Sequence, residues 1–339
     1  MTFPMRAMWK VNAGRRSVLA SEFLNRGVVA IGWREAGDYT RSESRSDVFR
    51  RIAEAYRDNT EQQNHVTTGQ IWRFLKEIRT GDAVLTYDPE TRLYHLGEIA
   101  GEPRFAPTEI EALPVQRAVR WNAAVSRDAL SPAAKGRLGA ILTLFKVSSE
   151  AAAELIRLQE GQSASHAPAI DDDPSDTFSV SAVDPFMELE EQAVERIKDK
   201  LLALDWQDMQ EIVAALLRAL GYRTIISPAG ADRGKDIVAS KDGFGFERPR
   251  IVVEVKHRRG AMGAQEIRSF LGGRHPDDRG LYVSTGGFTK DALYEAERAS
   301  TVTHLMTLDG LAEALLDQYE RLDENGRRLL PLRRIYWPA

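Results

Sequence analysis

Between residues 161 and 185 the chain has almost nothing with which to build a core. The stretch holds Ser163-Ala164-Ser165, Pro168, Asp171-Asp172-Asp173-Pro174 and Ser175-Asp176, with few large apolar residues before Phe178. Such a composition cannot bury enough surface to offset the entropy of ordering the chain. A 339-residue polypeptide interrupted in this way is expected to fold around two cores rather than one. The expected division is a first domain at 1–158, an acidic linker at 159–185, a second domain at 186–320 and a basic, apolar tail at 321–339.

Net charge is −4, yet residues 159–198 alone carry 10 acidic against 2 basic side chains. The acidity is therefore local and does not exclude a polyanionic partner for the rest. Basic clusters stand at Arg15-Arg16, Arg50-Arg51, Lys256-His257-Arg258-Arg259 and Arg333-Arg334. The absence of cysteine excludes disulfides and thiolate zinc sites, and it fits a reducing cytoplasm. No apolar run approaches membrane-spanning length and the first residues lack a secretory h-region, so a cytoplasmic protein without a membrane partner is expected.

The second domain carries the chemistry. Asp236-Ile237-Val238-Ala239 and Arg250-Ile251-Val252-Val253-Glu254-Val255-Lys256 are short, β-branched and bounded by Gly, Pro and charge, which predicts adjacent strands. Alternate side chains of a strand share a face. Glu254 and Lys256 therefore project together, Ile251, Val253 and Val255 face the opposite way, and Asp236 opens the partner strand within reach of the same point. Two carboxylates and an ammonium suit magnesium-dependent phosphodiester hydrolysis. Asp236 and Glu254 supply oxygen ligands, the Val255 carbonyl is a third, and Mn2+ can stand in for Mg2+. The ion acidifies water and stabilises phosphate charge, while Lys256 orients that water or screens the developing charge. The other reading of the same residues is an ordinary strand-end ion pair between Glu254 and Lys256 or an arginine. Asp232, in the polar stretch before Asp236, is a further acidic candidate.

The surroundings of this site resemble the catalytic domain of Mrr-type restriction endonucleases, a branch of the PD-(D/E)xK nucleases. The resemblance runs from about Trp206 to Leu316 through the helix Met209–Leu220, Gly221-Tyr222, Asp232-Arg233-Gly234-Lys235-Asp236-Ile237, Val253-Glu254-Val255-Lys256, Leu281-Tyr282-Val283-Ser284-Thr285-Gly286-Gly287-Phe288-Thr289 and Leu308-Asp309-Gly310-Leu311. It implies a central mixed sheet flanked by helices, metal ligands at Asp236 and Glu254, and a catalytic lysine at Lys256. Many relatives carry Gln where this chain has Glu254. The family's helical acid aligns with Gln210, with Glu211 one residue later. The basic residues Arg258 and Arg259, beside the site, are expected on the DNA backbone.

The first half alternates short strands and helices: Trp9-Lys10-Val11, a helix at 17–26, Val28–Trp33, helices at 47–56 and 70–77, a hairpin from Ala83–Tyr87 and Tyr94–Gly101, and Ala118–Trp121. A compact α+β barrel is expected. Trp9-Lys10-Val11, Ala30-Ile31-Gly32-Trp33, Ile71-Trp72-Arg73-Phe74, Gly81-Asp82-Ala83-Val84, Leu96-Gly97-Glu98-Ile99-Ala100-Gly101 and Val119-Arg120-Trp121 resemble the EVE domains of the PUA-like superfamily. That resemblance implies a pocket for a flipped, modified base between aromatic rings. Trp33, Phe105 and Trp72 are the candidate pocket walls, each with a core role as the competing reading. Trp9 and Trp121 are assigned to the core.

Together these features lead us to expect a two-domain, modification-dependent DNA endonuclease of the type IV restriction kind, reading a modified cytosine-type base in double-stranded DNA. The alternatives are a non-catalytic reader of modified nucleic acid and an RNA-directed nuclease. One site cuts one strand, so a homodimer through the C-terminal domain is expected. The apolar stripe Leu189, Val194, Ile197, Leu201 and Leu204 offers either a dimer helix or a helix packed on its own domain.

Overall fold

The computed structural model describes residues 7–140, 142–161, 185–227, 236–244, 246–272, 274–275 and 277–335, without the side chains of 185–189 and 191. The expected linker lies almost wholly outside the described residues, as does Asp232. The chain divides into two compact units, Met1–Gln192 and Ala193–Ala339.

The first unit runs β1 (Met8–Val11), α1 (Ala20–Arg26), β2 (Val28–Ile31), α2 (Arg45–Ala55), α3 (Glu61–Trp72), β3 (Ala83–Asp88), β4 (Leu93–Ile99), β5 (Arg104–Phe105), β6 (Val115–Ser126), α4 (Pro132–Leu138), β7 (Leu144–Lys146) and α5 (Ser149–Gln159). Its seven-stranded sheet is ordered β2-β6-β4-β3-β1-β7, with β5 on β6. β2 and β7 remain edges, so the sheet is a curled half-barrel where a barrel was expected. β6 provides the curl. Its first residues pair with β2 and β5, and its later ones with β4 across a register shift between Leu96 and Gly97. A Cβ at Gly97 would lie 2.7 Å from the Arg120 carbonyl and 2.7 Å from a Val119 methyl, so the bend requires glycine there. Trp9 is buried and donates to Asp82 at 3.2 Å, and Trp121 donates to the Phe23 carbonyl at 3.1 Å.

Capping boxes start α2, from Ser44 and Asp47, and α3, from Thr60 and Gln63. α3 begins well before the expected 70–77 because its polar sequence hides the helix from periodicity. A π-helical turn, Arg73–Glu77, extends it.

A long helix, α6 (Pro185–Leu202), leads into the second unit. There follow α7 (Trp206–Ala219), β8 (Arg223–Ile226), β9 (Ile237–Ser240), β10 (Ile251–Lys256), α8 (Ala264–Leu271), β11 (Arg279–Ser284), α9 (Lys290–Glu297), β12 (Thr303–Thr307), α10 (Leu308–Asp317) and α11 (Glu324–Leu329). The sheet order is β12-β11-β10-β9-β8. β10, β11 and β12 are parallel, and β8 and β9 are antiparallel additions. Val253, Val255, Leu281 and Val283 pack with α7 and α10 on one face. Tyr282 packs with Ile267 and Phe270 of α8 and Ala292 of α9 on the other.

Two expectations are decided here. Ile197 and Leu201 of the α6 stripe are buried in this unit's own core, which favours a helix packed on its own domain over a dimer helix. Leu322, Leu329 and Leu330 are buried in the same core, so the described part of 321–339 is not a tail.

Candidate active site

The site lies where β9 begins and β10 ends. The Asp236 amide donates to the Val253 carbonyl at 2.9 Å, which sets the strand pair in register. The Asp236 carboxylate then accepts the Val255 amide at 2.6 Å through Oδ2. Glu254 and Lys256 share the face opposite the α7 core and form an ion pair at 2.6 Å. Asp236 is 5% and Glu254 8% exposed, while about a third of the lysine side chain is open to solvent. Both carboxylates are thus largely withdrawn from water, with an accessible cation beside them.

The neighbouring strand adds groups that strand patterning alone does not reveal. Tyr282 stands opposite Glu254, and Ser284 opposite Lys256. Both are fully buried, and neither hydroxyl has a hydrogen-bond partner among the described residues. The Tyr282 ring is held edge-on by Phe270 at 5.1 Å and Phe288 at 5.9 Å. Burial, then the Glu254 charge, pushes its phenol well above the usual tyrosine range, so it remains a proton donor. Arg274 follows α8, lies 4.4 Å from the Phe270 ring and donates to the Phe270 carbonyl at 2.6 Å. Burial lowers its pKa against the opposing charges of Glu254, Asp278 and Asp236. That places a guanidinium in the field of both acids. Its only sequence signal is a basic residue directly after Gly272-Gly273.

The loop after β10 is tied down. His257 Nε2 donates to the Leu204 carbonyl at 2.8 Å. Thr285 donates its amide to the Lys256 carbonyl at 3.1 Å. A Cβ on Gly286 would come within 2.2 Å of the Gly260 carbonyl, so close chain crossing explains that glycine. Arg258 bonds Glu266 at 3.2 Å. Arg259 is exposed, with no ion pair among the described residues. α7 packs against the face opposite Glu254 and Lys256. Its Glu211 pairs with Arg218 at 2.7 Å, and Arg218 also holds Asp323 at 2.6 Å. Gln210 and Glu211 line a shallow cleft of ≈ 340 Å³ with Ser227, whose amide donates to the Asp236 carbonyl at 2.8 Å.

In the first unit Trp33, Trp72 and Phe105 all pack, partly buried, on the same core. Trp33 has left-handed backbone, φ 62°, a conformation that bulky side chains rarely adopt.

Comparison with known proteins finds a family match for part of each unit. Residues 201–315 match the restriction endonuclease family model, that of the Mrr catalytic domain. The second unit therefore carries a restriction endonuclease domain. Residues 9–147 match a domain family of unknown function, DUF8426. An uncharacterised protein of Sinorhizobium fredii, y4cE, is 31% identical over 98 residues, covering 28% of this chain and 25% of that one. The chain thus spans about a quarter of the length of the curated relative it matches. Two solved structures are similar. One is the MspJI restriction endonuclease in complex with a 27-mer oligonucleotide (12% identity, TM-score 0.31, covering 90% of this chain and 72% of that one). The other is the DNA modification-dependent restriction endonuclease AspBHI (17% identity, TM-score 0.31, 95% and 83%).

The donor set suits a hard divalent ion. It is all oxygen, with two buried carboxylates and the carbonyl of Val255, which directly follows Glu254. Among the described residues no three acidic, histidine or cysteine side chains converge. Water and substrate oxygens would complete the shell, as is usual for magnesium.

Proposed function

We propose that this chain is a modification-dependent DNA endonuclease. The second unit hydrolyses phosphodiester bonds and the first reads a modified, extruded cytosine-type base. The reading is carried by the convergence of Asp236, Glu254 and Lys256 on one strand pair within the residues that match the restriction endonuclease family. Asp236, Glu254 and the Val255 carbonyl would hold Mg2+, or Mn2+ in its place. When bound, the ion supplies Lewis acidity toward water and the scissile phosphate. Lys256 holds Glu254 in place and presents its exposed ammonium where charge develops. Arg259, and Arg258 once it leaves Glu266, would contact the DNA backbone.

For the first unit, the EVE resemblance supports base reading, with Trp33, Phe105 and Trp72 as the candidate rings for stacking. Cutting both strands needs two sites, so a homodimer through the second unit completes the proposal. Sedimentation of the full chain with and without DNA tests it, and a strict monomer that still breaks both strands at high dilution would refute the dimer.

The experiment for the function is a cleavage panel of unmodified, methylated, hydroxymethylated and glucosylated duplexes with Mg2+. The expected result is cutting confined to modified substrates and abolished by chelation. Equal cutting of all duplexes removes the modification dependence, and selective binding without cutting leaves a reader alone.

A further inference from the structure

The fully buried arginine of the first unit has a structural job and capacity to spare. Arg117 lies on β6 between the core residues Val115 and Val119 and is 1% exposed. It donates to the carbonyls of Phe74 at 2.9 Å, Gly101 at 3.1 Å and Leu75 at 3.2 Å, and its guanidinium lies 5.8 Å from the Phe74 ring. A guanidinium has five N–H donors. Three are used, which leaves one on each terminal nitrogen. The nearest carboxylate, Glu102, lies at 3.9 Å and is itself largely in solvent.

Arg117 also forms the floor of a cleft of ≈ 600 Å³ whose walls include Thr40, Lys76, Arg79, Thr80 and Glu102. That volume suits a ligand of nucleotide size. Three cations against one carboxylate favour an anion, and the cationic residues stand in two places. Arg117 is at the bottom, while Lys76 and Arg79 are exposed at the rim. Lys76 Nζ also lies 6.0 Å from the centre of the Trp72 ring.

We propose that this cleft receives an extruded pyrimidine nucleotide of the cytosine class. The two free N–H groups of Arg117 read the adjacent acceptors N3 and O2, and Lys76 and Arg79 hold the phosphate. This rests on the base-reading part of the proposed function and adds the reading group, a buried cation where the family resemblance suggests aromatic walls. Paired donors of a planar guanidinium match two neighbouring acceptors. Thymine carries N–H at N3, which sets donor against donor. The cleft therefore discriminates between the pyrimidines whatever substituent stands at C5.

The test uses the full chain in chelator, so that nothing is cut. Calorimetric titration with dCMP, 5-methyl-dCMP and dTMP should show both cytosine nucleotides binding roughly tenfold or more tightly than dTMP, the scale of one good bidentate contact. Thr80→Trp, which fills the cleft from its exposed rim, should abolish that binding at unchanged Tm. Should Thr80→Trp melt early, Arg79→Glu provides the same test by reversing charge on the surface. Equal binding of dTMP, no binding of any nucleotide at millimolar concentration, or undiminished binding by the folded cleft variants would overturn the proposal. A parent that binds cytosine nucleotides but cuts modified and unmodified duplexes alike would overturn the modification dependence and leave the cleft standing. A modification-dependent parent whose discrimination survives Thr80→Trp would do the reverse.

Discussion

Asp236→Asn separates what the carboxylate does for the fold from what it does for the reaction. In the fold, Oδ2 accepts the Val255 amide at 2.6 Å in a nearly water-free setting. A hydrogen bond to a charged acceptor contributes about 1.5–3 kcal/mol and a neutral one about 1 kcal/mol. Asparagine keeps a carbonyl oxygen in place, so folding should lose only about 1 kcal/mol, or about 2–4 °C in Tm for a unit of this size. In the reaction the loss is larger, because one of two charged oxygen ligands disappears. An ion's stabilisation of transition-state charge amounts to several kcal/mol. Forfeiting about 3–4 kcal/mol slows cleavage roughly hundredfold to thousandfold. Single-turnover cleavage of a modified duplex with Mg2+ and with Mn2+, alongside a thermal melt, reads both quantities. DNA binding in chelator should be nearly unchanged. A variant that keeps more than about a tenth of the parent rate with its Tm intact would refute the assignment of Asp236 as a ligand.

Tyr282→Phe removes a buried hydroxyl that bonds nothing among the described residues, so stability should hold or rise by up to about 1 kcal/mol. Its cleavage should nonetheless need roughly tenfold more metal, since the hydroxyl stands opposite Glu254; a clear loss of Tm would mean that the hydroxyl has a structural partner instead. Asp278→Asn breaks a buried carboxylate from Arg250 at 2.9 Å and Arg248 at 3.0 Å and should cost about 2 kcal/mol, discounting for the partly exposed arginines. Burial raises that carboxyl's pKa, but the arginine bonds and charges outweigh it and hold the group below its usual range. Its contribution is therefore complete above the unfolded carboxylate value near 4 and is lost as pH falls through the lower folded value. Denaturant melts from pH 6 to pH 2 should show parent and variant converging only in the acid, and convergence at neutral pH would refute the pairing. Gly286→Ala drives a methyl to 2.2 Å from the Gly260 carbonyl and should cost roughly 1–3 kcal/mol while slowing cleavage through the Lys256 loop; an unperturbed melt would show that the crossing can relax.

Legibility varied with the kind of signal. The alternation along Ile251–Lys256 was readable because strand side chains alternate by geometry alone, and Glu254 and Lys256 do share a face. The hairpin from β3 and β4 was readable for the same reason. α3 was not, because most of Glu61–Trp72 is polar and its start depends on the cap at Thr60. The buried ends of the second unit were missed too. Leu329 and Leu330 follow two arginines and read as surface until α11 folds them against the core.

The sequence by itself determined the two-core division, the strands that carry the acids, and the residue types gathered there, since all of these follow from short-range periodicity and composition. Only the tertiary structure decided which groups stand beside them. Tyr282 meets Glu254 through a parallel pairing 28 residues away, and Glu211 is drawn to Arg218 rather than toward the acids. Arg117, one of two arginines on β6, becomes the floor of a cleft because its strand turns it inward beneath Phe74 and Gly101. A residue's local pattern sets which way it points, but its charge environment depends on chain brought in from far along the sequence.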